Sequence, residues 1–321
     1  MTRLILAIGA MVAIVLPYAA PSNFYVNVCS EIWIFCIFAA SYNLLIGYAG
    51  LLSLGHAACF GLGGYVVSIA VVKFGYSDIS AILIALAVSM LFALVASALV
   101  LRTSGLSFMM TTLAMGQLLW GIAFRWVDMT GGDAGLPGLQ RPVIHGIDLN
   151  SAPAFYYVSL AVAVAAILLM KRFVDSPFGN CLRGVRDQPR RMDAMGYNVW
   201  LIKYAVLLYS ALWATVAGIL FAYFQRFVSP FNLGIEQEIA PLIMVILGGV
   251  ATFSGPLMGA AIVVVVERVL SSYVVAWPAL LGLGFIATVM FAPNGLTERV
   301  AAINWIGRRK DATRPAVEQS A

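Results

Sequence analysis

The sequence predicts an all-α protein embedded in a membrane, with about ten (eight to ten) spanning, broken or re-entrant helices and both termini in the cytoplasm. Three observations predict it. Hydrophobic residues make up 62% of the chain and charged residues only 10%, the mean hydropathy is +0.95, and a soluble domain would carry about 25% charged residues. Long apolar stretches recur along the chain, separated by short polar ones. The basic residues gather in one polar island, 171–203, where Lys171, Arg172, Arg183, Arg186, Arg190, Arg191 and Lys203 face only Asp175, Asp187 and Asp193. Lys and Arg in a short loop between spans mark the cytoplasmic side. The formal charge of +5, from 19 basic and 14 acidic residues, therefore reports topology and not a nucleic-acid surface.

The first apolar run is Leu4–Leu16, behind Arg3. Ala19-Ala20 ahead of Pro21 also fits a signal-peptidase site; retention as a first helix is expected, and neither outcome alters the topology. Apolar stretches follow at Cys29–Tyr48, Leu51–Val72, Ile79–Leu101, Leu106–Val127 and Ala154–Met170, then, after the island, at Tyr204–Phe224, Ile239–Phe253, Leu257–Tyr273 and Trp277–Pro293. Residues 1–293 are thus expected to form one transmembrane domain, with a cytoplasmic loop at 171–203, an outer loop at 128–153 and a cytoplasmic tail at 294–321. The charges agree with this count. Arg102, the island and the basic tail (Arg299, Arg308, Arg309, Lys310, Arg314) fall inside; Lys73 with Asp78, Asp128 with Asp133, and Arg226 with Glu236 and Glu238 fall outside without net positive charge. Trp126, Tyr156, Tyr157, Tyr223 and Trp277 land near the outer boundary and Trp200 and Tyr204 near the inner one, as interfacial aromatics do. Glu31, Glu267 and Arg268 sit at outer span ends, where they are expected to reach water.

Two glycine-rich stretches, 47–64 and 248–259, interrupt the apolar background and share a G-x-x-[ST] core. Small residues let membrane helices approach closely, and glycine with proline allows a span to break where it lines a cavity. Ordinary small-residue packing accounts for them equally well. The two short spans joined through Gly255-Pro256 are the candidates for a re-entrant half-helix. His56 is the one histidine expected at membrane depth, where an ionisable group is a functional suspect; a neutral imidazole bonded to a backbone carbonyl is expected in preference to a proton relay.

The island has its own order. Ser176-Pro177 starts a helix, because proline at the first helical position gives up an N–H that has no partner there. Pro189 stops that helix and opens a second, with Asp187 ahead of it as an acceptor for free N–H groups, and Gly196 suits a left-handed helix end. Met192 and Met195 share one face, with arginines beside them. On these residues alone, docking of a partner in a methionine-lined groove and contact with anionic lipid headgroups stand level.

Cys29, Cys36, Cys59 and Cys181 have no C-x-x-C spacing, and with only His56 and His145 no zinc site can be assembled. No P-loop is present, so no ATP site of that kind. No nucleophile and base are paired, so no catalytic residues are assigned. Carboxylates are scarce in the span interiors, which argues against ion coupling and for an external motor.

The runs Asn43–Ala58, Thr130–Leu136, Gly179–Asn198, Phe227–Pro230 and Leu247–Pro256 together resemble the LivM-type permease subunit of branched-chain amino acid ABC importers, in the family's order and over nearly the whole chain. The resemblance implies a non-enzymatic, multi-pass subunit of the bacterial inner membrane. Its partners would be a LivH-type second permease, two cytoplasmic ATPase subunits that bind the ATP, and a periplasmic solute-binding protein. It also implies that the island is the ATPase-coupling loop, with Gly179, Arg183, Arg186, Asp187, Arg190, Arg191, Met192, Met195 and Gly196 at the docking surface, which favours docking over lipid. Ser53, Gly55, His56, Thr252, Gly255 and Pro256 become the candidates for the translocation path. Cys59 stands where the family often has phenylalanine, and Leu51 where some members carry glutamine. Relatives that import urea or short amides are the alternative substrate class; a self-sufficient channel, an ion-coupled carrier and a membrane scaffold are the alternatives from other classes.

Overall fold

The computed structural model describes residues 22–271 apart from 145 and 146, with isolated positions at 17, 273, 279, 282–286 and 290. The expected first helix, the signal-peptidase site, the basic tail and most of the span at 277–293 lie outside the described residues.

α1 (Asn23–Asn43) continues through one π-helical turn, Leu44–Ala49, and ends at Gly50, whose φ of 67° is the left-handed conformation that glycine adopts without a Cβ penalty. An extended segment leads to α2 (His56–Val72), followed by α3 (Asp78–Val100), α4 (Leu106–Arg125) and α5 (Ala152–Val174). The island forms α6 (Pro177–Asp187) and α7 (Pro189–Ala194), and then come α8 (Val199–Gln225), α9 (Ile235–Gly248) and α10 (Gly255–Leu270). Five of these, α1 with its π turn, α3, α4, α5 and α8, are long and apolar enough to cross a membrane. The chain is therefore a multi-pass membrane protein.

α1 is the axis of the bundle. Its inner half is buried on every side, and α5, α8, α9 and α10 pack around it; α2 lies between α3 and α8, with α4 beside it. Lipid tails are as apolar as leucine, so such helices associate through close backbone approach. A Cβ on Gly218 of α8 would lie 1.8 Å from the Phe60 carbonyl oxygen of α2, and one on Gly63 would lie 2.9 Å from the Thr215 carbonyl oxygen. α3 buries Ala81, Ala85, Ser89, Ala93 and Ser97, one small residue per four, and turns Leu83, Leu91 and Val95 outward. That stripe is legible in the sequence as small residues at helical spacing.

The two ends of the bundle are distinct. At one, Lys73 Nζ donates to the Asp128 carbonyl, Tyr223 Oη donates to Asp78 at 3.0 Å, and Leu136–Pro137 of the 128–153 loop pairs antiparallel with Phe227–Val228. Arg141 of the same loop is buried over the Phe155 ring, 4.2 Å from its centroid, and donates to the Tyr223 and Phe224 carbonyls; burial lowers its guanidinium to about 10. At the other end lie the island, the α1–α2 connection and the α9–α10 connection.

Several sequence expectations change. The stretch 51–72 is not one span: Gly50 and Gly55 hold 50–55 out of the helix, and Leu51 N–H returns to the Leu45 carbonyl at 2.9 Å. The spans expected at 239–253 and 257–273 are the short helices α9 and α10. Glu31 does not reach water; it is buried and paired with Arg268, Nε to Oε2 at 2.6 Å, across α1 and α10. Glu238, expected in an outer loop, is buried at 1% exposure. The cause is the segment after α8, which folds inward along α2: Val228 lies by Gly64, Leu233 by Gly61, and the Glu238 carboxylate at Ala57.

Candidate functional site

The α1–α2 break is built from polar side chains of neighbouring helices. Tyr42 Oη donates to the Ser53 carbonyl at 2.9 Å, and Leu54 N–H donates to Thr112 Oγ1 of α4 at 2.9 Å. Gly55 is pressed against α4, where a Cβ would lie 2.3 Å from the Thr112 carbonyl oxygen. Gly55 also caps α2 and offers no side chain for its free N–H groups. Glu238 fills that role from α9: its Oε1 accepts from Ala57 N–H at 2.9 Å, with the N–H groups of His56 and Ala58 alongside. A carboxylate at a helix N-terminus faces its positive end.

His56 stacks on Phe38, centroids 5.5 Å apart and planes 8° from parallel, and its Nε2 lies 2.8 Å from Ser41 Oγ. Ser41 has one hydroxyl proton, which it donates to the Phe38 carbonyl at 2.7 Å. Nε2 therefore carries the imidazole proton and donates to Ser41. The partner is a hydroxyl and not the expected carbonyl.

Ser53, Gly55 and His56 line a cavity of about 50 Å³, together with Cys59, Ser97 and Thr112. That space admits water-sized groups.

Thr252, Gly255 and Pro256 belong to the second break, away from the cavity lining. Thr252 Oγ1 donates to the Gly249 carbonyl at 2.8 Å and accepts from Gly255 N–H at 3.1 Å. α9 and α10 meet backbone to backbone: a Cβ on Gly248 would be 1.9 Å from the Gly255 carbonyl oxygen, and one on Gly259 1.8 Å from that of Met244. Asn43 joins the two breaks. Its Oδ1 accepts from Ala251 N–H at 3.1 Å and its Nδ2 donates to the Thr252 carbonyl at 2.9 Å. Ala251 takes a φ of 62°, a conformation disfavoured for a residue with a Cβ.

The island lies against the first break. Ser176 Oγ accepts from Gly179 N–H at 3.4 Å and Pro177 opens α6, as its sequence predicts. Gly179 is a contact point, since a Cβ would be 2.0 Å from the Val174 carbonyl oxygen. Leu182 and Val185 are buried toward the bundle. Arg183 donates to the Val174 carbonyl at 3.3 Å and lies 5.7 Å from the Tyr48 ring centroid. Arg186 donates through Nη1 to the Gly47 carbonyl at 2.7 Å, and its Nε pairs with Asp187 at 2.8 Å. Asp187 is committed to that pair, and α7 has no side-chain cap. Met192 packs its sulfur on Gly184 and joins α7 to α6. Arg190, Arg191 and Met195 are exposed, and Gly196 takes a φ of 86°.

Sequence reasoning missed Asn43, Thr112, Ser41 and Glu238 as site residues. Asn43 opens the first glycine-rich motif, and its place before Gly47 was the available signal. The other three are brought in by packing.

Residues 24–292 match the family described as the permease component of branched-chain amino acid transport systems. The chain is 22% identical over 317 residues to the high-affinity branched-chain amino acid transport system permease protein LivM of Salmonella typhimurium, covering 92% of this chain and 74% of that protein. The LivM protein of Escherichia coli matches to the same extent. The LivH permease protein of Escherichia coli is 22% identical over 260 residues, covering 74% of this chain and 82% of that one.

Proposed function

The chain belongs to the permease-component family of branched-chain amino acid transport systems, and on that premise we propose that it is one half of a membrane pathway for branched-chain amino acids. In this reading it is the LivM-type subunit of an importer in the bacterial inner membrane, with about ten (eight to ten) spanning, broken or re-entrant helices and both termini cytoplasmic. It pairs with a LivH-type permease, takes substrate from a periplasmic binding protein and is driven by two cytoplasmic ATPase subunits. It performs no chemistry of its own.

One observation carries the mechanism: Arg186 of the island is hydrogen-bonded to Gly47, in the turn that leads to the cavity-lining break. Gly47 sits against Asn43 and Ala251, with no room for a Cβ at either. A displacement of α6 by an ATPase therefore reaches the Gly47 backbone directly and, through Asn43, reaches both breaks. Interfaces packed this closely switch between discrete arrangements and do not deform smoothly. The cavity at Ser53, Gly55 and His56 is what such a switch would enlarge.

The test is ATP-driven uptake of L-leucine by the complete complex in vesicles, with Arg186→Ala beside the wild type. The variant should assemble and hydrolyse ATP while uptake falls at least tenfold. Wild-type rates in the variant would remove Arg186 from the coupling route, and uptake by the chain without ATPase subunits would favour a channel or secondary carrier.

A further inference from the structure

The Glu238 carboxylate is buried at 1% exposure, and its Oε2 has no hydrogen-bond partner among the described residues. It is deep in the bundle. Ala57 and the far end of α2 at Val72 are fifteen residues apart, roughly 22 Å at the helical rise, against a hydrocarbon core of about 30 Å. Isolated buried carboxylates are costly, and such groups persist inside membranes where they serve a function.

Capping α2 explains only half of this residue. Oε1 accepts from Ala57 N–H, with the His56 and Ala58 N–H groups alongside, and a glutamine would supply that same acceptor without charge. The helix N-terminus offsets about half an elementary charge, less than an ionised carboxylate carries. Neither ion pair among the described residues involves Glu238. Its neighbours at the break, Gly55 and His56, line the cavity, and on α4 Gly116 brings Gly55 and Glu238 to one point, since a Cβ there would lie 3.5 Å from Oε1 and 3.7 Å from Gly55 Cα.

We propose that Glu238 Oε2 is the acceptor for the ammonium group of the transported zwitterion, exposed when the α1–α2 break opens. The inference rests on the proposed function and names the group in the chain that reads one end of its substrate. An ammonium supplies the missing positive charge and up to three N–H donors. A charge-assisted hydrogen bond of this kind is about twice as strong as a neutral one. Oε1 stays on Ala57, so α2 keeps its cap while substrate passes.

Two measurements test it. In vesicles holding the complete complex, Glu238→Gln should assemble with a normal melting temperature, because the amide oxygen still caps α2, and ATP-driven L-leucine uptake should fall at least tenfold. Uptake equal to wild type would reduce Glu238 to a helix cap and overturn the proposal. The second measurement uses the unmodified complex, so it holds even where the variant does not assemble. 3-Methylbutylammonium should raise the melting temperature and 4-methylpentanoate should not, since a ligand that binds the folded form stabilises it. Stabilisation by the carboxylate alone, or by neither probe, overturns the proposal. A wild-type complex that takes up no leucine defeats the transport reading, whereas the ammonium-specific shift judges Glu238 independently.

Discussion

Between Gly50 and Gly55 the chain passes from α1 to α2 on hydrogen bonds with the Tyr42 and Thr112 side chains and borders a cavity; between Gly249 and Ser254 it turns from α9 to α10 on hydrogen bonds with the Asn43 and Thr252 side chains, flanked by helices that meet backbone to backbone, and borders none of it. Both segments are glycine-rich and both interrupt apolar helices. A connection held by side chains can exchange those partners for a ligand or for water. A connection whose two flanking helices meet at carbonyl oxygens under 2 Å from an added Cβ is fixed by those helices and moves with them. The first break has the properties of a gate, and the second those of a hinge.

The largest expected effect tests the hinge. Gly248→Ala places a Cβ 1.9 Å from the Gly255 carbonyl oxygen, and no rotamer change relieves a contact with backbone. Overpacking a tight site costs typically 1–3 kcal/mol and sometimes more, so the α9–α10 hairpin should lose its packing on α1. Thermal unfolding of the purified complex should show a fall of several degrees or no assembly. A variant as stable as wild type would mean that the second break is loose, and the contrast would vanish.

Asn43→Leu comes next, because it severs the side chain by which the end of α1, ahead of the first break, holds the second. It removes two hydrogen bonds and leaves Ala251 N–H and the Thr252 carbonyl without them, a cost of about 2 kcal/mol. The complex should still assemble, and uptake should fall more than stability does. Equal stability and uptake would show that the breaks move independently.

The contrast was only partly legible in the sequence. Local signals were read well: Ser176-Pro177 starts α6, Pro189 starts α7, Gly196 has the expected positive φ, and the two glycine-rich runs do mark broken helices. These depend on steric rules within a few residues. Glu238 was misplaced because hydropathy put it ahead of an apolar run, in a loop. What pulls it inward is the packing of Leu233 on Gly61, a contact made across more than 170 positions. Arg186 and Gly47 meet across 139. Charge counting identified the arginine-rich face and gave no means to select which arginine touches the gate. Asp187 shows the converse: a capping position suggested by spacing lost to a stronger ionic partner next to it in the chain.

The smallest effects sharpen the comparison most, because they use one residue type in two places. Thr112 and Thr252 have matching roles: each Oγ1 donates to the carbonyl three residues earlier, at 2.8 Å, and each accepts one backbone N–H, from Leu54 at 2.9 Å and from Gly255 at 3.1 Å. Valine at either position keeps the shape and leaves one N–H without its acceptor, a loss of about 1 kcal/mol. The stability changes should therefore be alike. The transport changes should not be. Thr112→Val frees Leu54 beside the cavity and loosens the first break, so the complex should leak L-leucine without ATP or bind it with altered affinity. Thr252→Val only loosens the cap of α10 and should leave uptake within about twofold of wild type. Parallel vesicle assays on the two variants measure that difference directly. Equal transport defects would place the moving element at both breaks, and a defect in Thr252→Val alone would reverse the assignment of gate and hinge.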